Sequence, residues 1–267
     1  MILSMTRRLV TTLAALGSAA LVLTAAACGT GADGGGAADA RTVVTSFYPI
    51  QFATEQIAGN ALDVRVLTKP GAEPHDFEIG AQDLDVLLKA ALVVYSKGFQ
   101  PAVDDAVTQA DQAKVLDVSG AARLTAAGDE QEHAGETAEE HAEHGANDPH
   151  FWLDPTRYAD VAKAIEARLA RLDPGQTATF TQNADAFVAK LTTLDEEFAT
   201  GLKSCRIKDL VTSHSAFTYL ADRYGFEQHG ISGVSPEAEP SAAGLKALTD
   251  LVKQRGVTTI YQETLVE

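Results

Sequence analysis

Cysteine is nearly absent from this chain: Cys28 and Cys205 are the only two in 267 residues. That excludes a disulfide framework, and the lack of any Cys-x-x-Cys pair excludes a thiolate metal knuckle. Cys205 reads as a small buried hydrophobe. Basic residues are scarce as well, with 21 Lys and Arg against 37 Asp and Glu and a formal net charge of −16. Binding nucleic acid requires Lys and Arg to neutralise phosphate, so an excess of acid this large argues against such a partner. Two catalytic signatures are also missing. There is no His-Glu-x-x-His sequence, and no Gly-x-Ser-x-Gly elbow surrounds Ser213 or Ser215. No internal repeat of fixed period is present.

What is present begins with an address. Arg7 and Arg8 precede an apolar run of nineteen residues, 9–27, which closes on Ala25-Ala26-Ala27 before Cys28. A charged start, an apolar middle and small residues at the end describe an export signal over residues 1–27. A run of this length nearly spans a bilayer, but its alanine-rich composition favours a cleaved signal over an anchor. Cys28 and the Gly-rich stretch after it resemble the lipobox and tether of a bacterial lipoprotein, with Ala25 where such boxes usually carry Leu. The reading is lipidation at Cys28, a flexible tether over residues 28–41, and an extracytoplasmic body held to the outer face of the cytoplasmic membrane. Residues 1–27 hold two arginines and no acid, so without them the formal charge moves from −16 to −18.

The body alternates strand and helix patterns. Residues 43–47, 63–68, 91–95 and 114–118 read as strands, with helices over 50–58, 81–90 and 101–110. Such alternation indicates an α/β fold with a parallel sheet covered on both faces. Asp154-Pro155 then opens a helix that runs to about residue 172, with Asp at the cap and Pro at the first position. Beyond Asp173-Pro174, Phe180, Ala184, Phe187, Leu191, Leu194 and Phe198 recur at alternating spacings of four and three. This stripe predicts one long helix over residues 175–203. A second α/β series follows, with strands at 210–212, 227–231 and 257–262 and helices at 215–224 and 241–255. The organisation read from these patterns is an N-terminal lobe over 42–173, a linking helix over 174–204 and a C-terminal lobe over 205–267 that looks unfinished.

Histidine carries the chemistry. Four of the seven histidines fall between residues 128 and 150. His133, His141 and His144 sit among carboxylates in an acidic loop, 128–147, whose composition predicts a solvated segment with no packed core. The sequence then turns rigid and aromatic at Asn147-Asp148-Pro149-His150-Phe151-Trp152. His75 in GAEPHDFE and His214 in VTSHSAF likewise stand where elements end. In open α/β folds ligands bind beyond the carboxyl ends of the strands. Any one of these turn histidines reads as a solvent-exposed side chain; three at comparable places read as ligands for a transition metal.

The order GAEPHDFE, His-rich acidic loop, DPHFWLDP, long helix, VTSHSAFTYLADRYGF and ISGVSPEAEPS resembles the metal-binding solute receptors of ABC importers, and most closely the zinc-uptake type. The resemblance covers residues 42–267. It implies two α/β lobes joined by a rigid helix, a metal site in the cleft between them, and delivery of Zn2+ to the transmembrane subunit of an ABC permease by a monomeric receptor. His75, His150 and His214 match the family's ligands. Manganese-type members carry a carboxylate where His214 stands, so Zn2+ is favoured over Mn2+ as the transported ion. The family places its last acidic ligand beyond the point matching Glu267. The expectation is therefore three histidines and a fourth position filled by water, or by Glu263 if the fold rearranges. The loop histidines His133, His141 and His144 are candidates for weak auxiliary binding.

Rival readings belong to other classes. A zinc hydrolase also uses three protein ligands and an open position, but it needs a general base and a substrate pocket that no motif here announces. A surface adhesin or a metal buffer with no transporter partner leaves no short motif to test.

Overall fold

The computed structural model describes residues 39–126, 147–237 and 240–263. The export signal, Cys28, most of the tether and the three loop histidines fall outside the described residues. Four parallel strands form the first sheet: β1 (Asp39–Thr45), β2 (Asp63–Val66), β3 (Ala90–Tyr95) and β4 (Val115–Asp117), in the order β2-β1-β3-β4. All six residues of β3 are buried, as a central strand covered on both faces requires. Successive side chains point to opposite faces, and the sheet consequently carries two cores. Val43, Leu92 and Val94 pack with α1 (Tyr48–Ala58) on one face. Val44, Val93 and Tyr95 pack on the other with α2 (Ala81–Lys89) and α3 (Pro101–Thr108).

A short α4 (Ser119–Ala122) follows β4, and the chain re-enters at an isolated antiparallel bridge between Ala126 and Asn147. α5 (Pro155–Leu172) begins where the sequence marks it, because Asp154 Oδ1 accepts from the Thr156 amide at 2.8 Å and Pro155 needs no amide partner. α6 (Thr177–Gly201) is 25 residues long, about 38 Å at 1.5 Å per residue. Its stripe divides. Phe180, Ala184, Phe187 and Leu191 are buried in the first core, whereas Leu194 is exposed and Phe198 meets Tyr224 with ring centroids 5.4 Å apart. The far end of the helix therefore leaves the first core and touches the second series of elements.

That series contains β5 (Asp209–Thr212), α7 (Thr218–Tyr224), β6 (Glu227–Gly230), α8 (Ala242–Arg255) and β7 (Ile260–Tyr261). Its three strands are parallel in the order β6-β5-β7. Two expectations shorten here. The helix starts at Thr218, not residue 215, because the Ser215 amide donates to Gly233 O at 2.8 Å and the Ala216 amide to His214 O at 2.9 Å. The last strand keeps two residues, since the Val257 amide is held by Val252 O at the helix end and β5 offers only Val211 and Thr212 as partners. Gly230 is required at the end of β6: a Cβ there would overlap Ser215 and the Ser232 carbonyl. Cys205 is half-buried and free, not a core residue. Among the described residues no helix is long and apolar enough to cross a membrane.

Candidate metal centre

His150 and His214 stand at element ends as expected, whereas His75 lies in the middle of the loop between β2 and α2, and each of the three is held by its own contacts. The stretch before His75 is pinned by buried Gln100, whose Nε2 donates to Thr68 Oγ1 at 2.8 Å and to Pro74 O at 2.9 Å. The His75 amide donates to Glu73 Oε1 at 3.0 Å, and the His75 ring meets Phe99 edge-on at 4.7 Å.

His150 is buried between Trp152, 5.2 Å away by ring centroid, and the fully buried Asp148. Asp148 Oδ1 accepts from the His150 amide at 2.9 Å and lies 2.8 Å from His150 Nδ1. A carboxylate only accepts, so the ring proton resides on Nδ1 and the lone pair of Nε2 faces the centre. Asp148 is held in turn by its backbone, whose carbonyl accepts from the Tyr219 hydroxyl at 2.7 Å; the same hydroxyl accepts from the Thr125 amide at 3.0 Å.

His214 lies in the turn between β5 and α7. Its carbonyl accepts from Thr212 Oγ1 at 2.7 Å and from Gln228 Nε2 at 3.2 Å. Glu263 Oε2 abuts His214 Nδ1 without hydrogen-bond alignment. Burial, and after it the neighbouring His150, hold the His214 imidazole down at about 4, against the opposing pull of Asp148. The contact with Glu263 does not reverse that direction, and Glu263 is itself raised above the usual carboxylate range by burial. His214 is therefore unprotonated at neutral pH, as a nitrogen ligand must be. Glu73 is raised too, first by burial and then by Asp76 and Glu237, against the His75 amide bond that lowers it.

The three rings converge. His150 Nε2 lies 3.3 Å from His75 Nε2 and 3.4 Å from His214 Nε2, and one ligand atom from each ring lies within 4.8 Å of the others. Four ligands placed tetrahedrally at zinc–nitrogen distances of 2.0–2.1 Å stand about 3.3 Å apart. Both separations match that edge. Interplanar angles of 44°, 62° and 90° exclude stacking as the reason for the cluster.

Residues 43–267 match the ZnuA family, the periplasmic component A of a zinc-uptake complex. The chain belongs to this family. It is a family of solute-binding components of uptake systems. Zinc-binding lipoprotein AdcA of Streptococcus pneumoniae R6 is 38% identical over 224 residues, 83% of this chain and 44% of that protein. The chain thus spans less than half of that relative's length. The high-affinity zinc uptake system protein ZnuA of Bacillus subtilis is 35% identical over 254 residues, 92% of this chain and 79% of the relative. Among solved structures, the laminin-binding protein Lmb of Streptococcus agalactiae superposes with a TM-score of 0.72 at 35% identity, over 85% of this chain and 81% of that one. The shared architecture is α/β, with two parallel sheets and a long helix.

Motif reading singled out the three histidines but not the groups that aim them. Asp148 stands two residues before His150, a spacing that suits a side chain turning back on its own segment. Gln100 and Tyr219 carry no such signal, because their partners are 26 and 71 residues away.

Proposed function

We propose that this chain is an extracytoplasmic receptor that captures Zn2+ with His75, His150 and His214 and delivers it to an ABC permease. The observation that carries the reading is the approach of two Nε2 atoms to that of His150 at 3.3 and 3.4 Å. Hydrogen bonding alone accounts poorly for it. His150 keeps its proton on Nδ1 for Asp148, so its Nε2 would have to accept from both neighbours at once. A cation held by three lone pairs resolves the arrangement, and an all-imidazole set suits zinc better than manganese. The fourth position is left to water or to a carboxylate. Glu263 lies against His214 Nδ1 and not at the point where the three Nε2 atoms meet, so it acts on the ligand and not on the ion.

In this reading the two sheets are the lobes, residues 174–204 link them, and residues 128–147 supply weak cation capture through His133, His141 and His144. Lipidation at Cys28 holds the receptor at the membrane surface beside its permease. Zinc and manganese titrations of the full chain, with metal content by mass, test the receptor. Zinc bound tightly at one equivalent and a far weaker response to manganese are expected. Equal affinity for the two ions would overturn the zinc assignment, and unchanged zinc uptake in cells lacking the protein would overturn the permease partnership.

A further inference from the structure

A second group of ligating side chains lies at the opposite end of the three-stranded sheet. Asp209 opens β5 and Glu227 opens β6, and the two are direct register partners. His229 stands two residues beyond Glu227, on the same face of β6. Its Nε2 lies 3.2 Å from Asp209 Oδ1 and 4.0 Å from Glu227 Oε1, and one ligand atom from each of the three residues lies within 4.8 Å of the others.

Burial separates this group from an ordinary solvated charge patch. The side chains of His229 and Asp209 are 4% and 8% exposed, while that of Glu227 is 58% exposed and opens the group to solvent. Two carboxylates directly opposite each other on paired strands repel and destabilise the pairing. Arg255 offers only partial compensation. Its Nη1 stays 3.8 Å from Asp209 Oδ1 and its Nη2 3.9 Å from Glu227 Oε2, beyond hydrogen-bond reach, and its side chain is half exposed. The close partner of the buried Asp209 oxygen is thus the imidazole of His229.

We infer that Asp209, Glu227 and His229 form a second binding site for a borderline divalent cation such as Zn2+. The metal takes the place of the ring proton between His229 Nε2 and Asp209 Oδ1, whose 3.2 Å separation suits the edge of about 3.3 Å between ligands of one tetrahedral zinc. Glu227 closes from 4.0 Å, which its exposed side chain is free to do, and water completes the shell on the open side. One imidazole and two carboxylates favour zinc over calcium or magnesium, which prefer oxygen ligands alone. His214 stands five positions beyond Asp209, so the two sites stand up to about 16 Å apart along the strand. The second ion does not share ligands with the three-histidine centre. Its structural effect is to clamp edge strand β6 to central strand β5, across the register pair that otherwise repels.

Crystals of the full chain with two equivalents of Zn2+, recorded at the zinc absorption edge, test the site without any mutation. An anomalous peak between Asp209, Glu227 and His229 is expected in addition to one at the three-histidine centre, and no peak there overturns the inference. Calorimetric titration with Zn2+ supplies the second measurement. His229→Gln and, independently, Asp209→Asn each lose one equivalent while the tight equivalent is retained, which also reports that the variant is folded. Arg255→Gln, which removes a competing cation, tightens the second equivalent several-fold. An unchanged number of equivalents in both His229→Gln and Asp209→Asn would show that the group is an ion-pair cluster and no metal site.

Discussion

The two sheets of this protein are built to different standards. Around the four-stranded sheet, α1, α5 and α6 bury Ile50, Ile57, Ile165, Leu169, Phe180 and Phe187 in one continuous core. Around the three-stranded sheet, α8 buries only Leu248, and Ile260 and Tyr261 of β7 are more than half exposed. His150 belongs to the first region and His214 to the second, so the candidate metal centre joins a well-packed wall to a thinly packed one. The difference teaches that the ligands need not be equally preorganised. His150 is fixed by Asp148, Trp152 and a deep core. His214 depends on a turn, two carbonyl hydrogen bonds and a contact with Glu263.

The sharpest way to break this comparison is to remove one ligand from each side. His150→Ala and His214→Ala are each expected to weaken zinc binding by 100-fold or more, with His150→Ala the more severe because its Nε2 is common to both short contacts. Competition titrations with a chromophoric chelator read both. Wild-type affinity in either variant would remove that residue from the site.

Packing gives the next largest contrast. Phe180→Ala leaves a cavity in the first core and costs about 3–5 kcal/mol, whereas Leu248→Ala, with solvent close on its helix, falls near the low end of about 2 kcal/mol for such truncations. Urea unfolding of the zinc-free protein measures both, and equal losses would mean that the second region is as well packed as the first. A smaller effect is expected from Asp148→Asn. The amide side chain no longer holds the His150 ring as a carboxylate does, and loss of such a partner lowers metal affinity about 10–100-fold. Zinc titration of this variant, with its fold checked by circular dichroism, sharpens the claim that preorganisation resides on the first side.

Acid pH should act through the second side. The folded protein holds His214 at about 4 against an ordinary value of 6.5. Between those values the unfolded chain takes up a proton that the folded one refuses, so the share of stability tied to His214 is complete above about pH 6.5 and is lost as pH falls toward about 4. Urea midpoints of the zinc-free protein at pH 7.5, 5.5 and 4.5 should trace that decline, and His214→Gln should lack this share of it. By the same burial, protons are expected to compete with the metal at His214 only below the reference histidine value near 6.5.

Deleting residues 128–146 is expected to have the least effect on the tight site. His150 draws its support from Asp148, Trp152 and Tyr219, all outside the deleted segment. Calorimetry should show the tight equivalent retained and weaker equivalents lost. Loss of the tight equivalent would place a primary ligand inside that segment.

Much of the architecture was legible because it rests on local forces. Strand and helix alternation, the Asp154-Pro155 start and the apolar stripe from Phe180 to Leu191 depend on residues within a few positions of each other. The motifs around His75, His150 and His214 were legible for the same reason. Errors came where a distant partner competed with local pattern. The Gly233 carbonyl takes the Ser215 amide and delays α7, and β7 ends where β5 stops offering partners.

By itself, then, the sequence determined the order of elements, the acidic character and the motifs around three histidines, of which His150 and His214 stand at element ends and His75 lies mid-loop between β2 and α2. Only the tertiary structure decided that these rings, 75 and 64 residues apart in their two close pairs, bring Nε2 atoms to one point. It alone also decided that Glu263 reaches His214 Nδ1, and that strand register sets Asp209 against Glu227 beside His229. The reason is physical. Periodicity and capping are read over one or two turns of chain, but convergence is set by how β5 aligns with its neighbours and how α7 places Tyr219 against the Asp148 carbonyl. Those distances are summed over the packing of the whole body, and no short stretch of residues contains them.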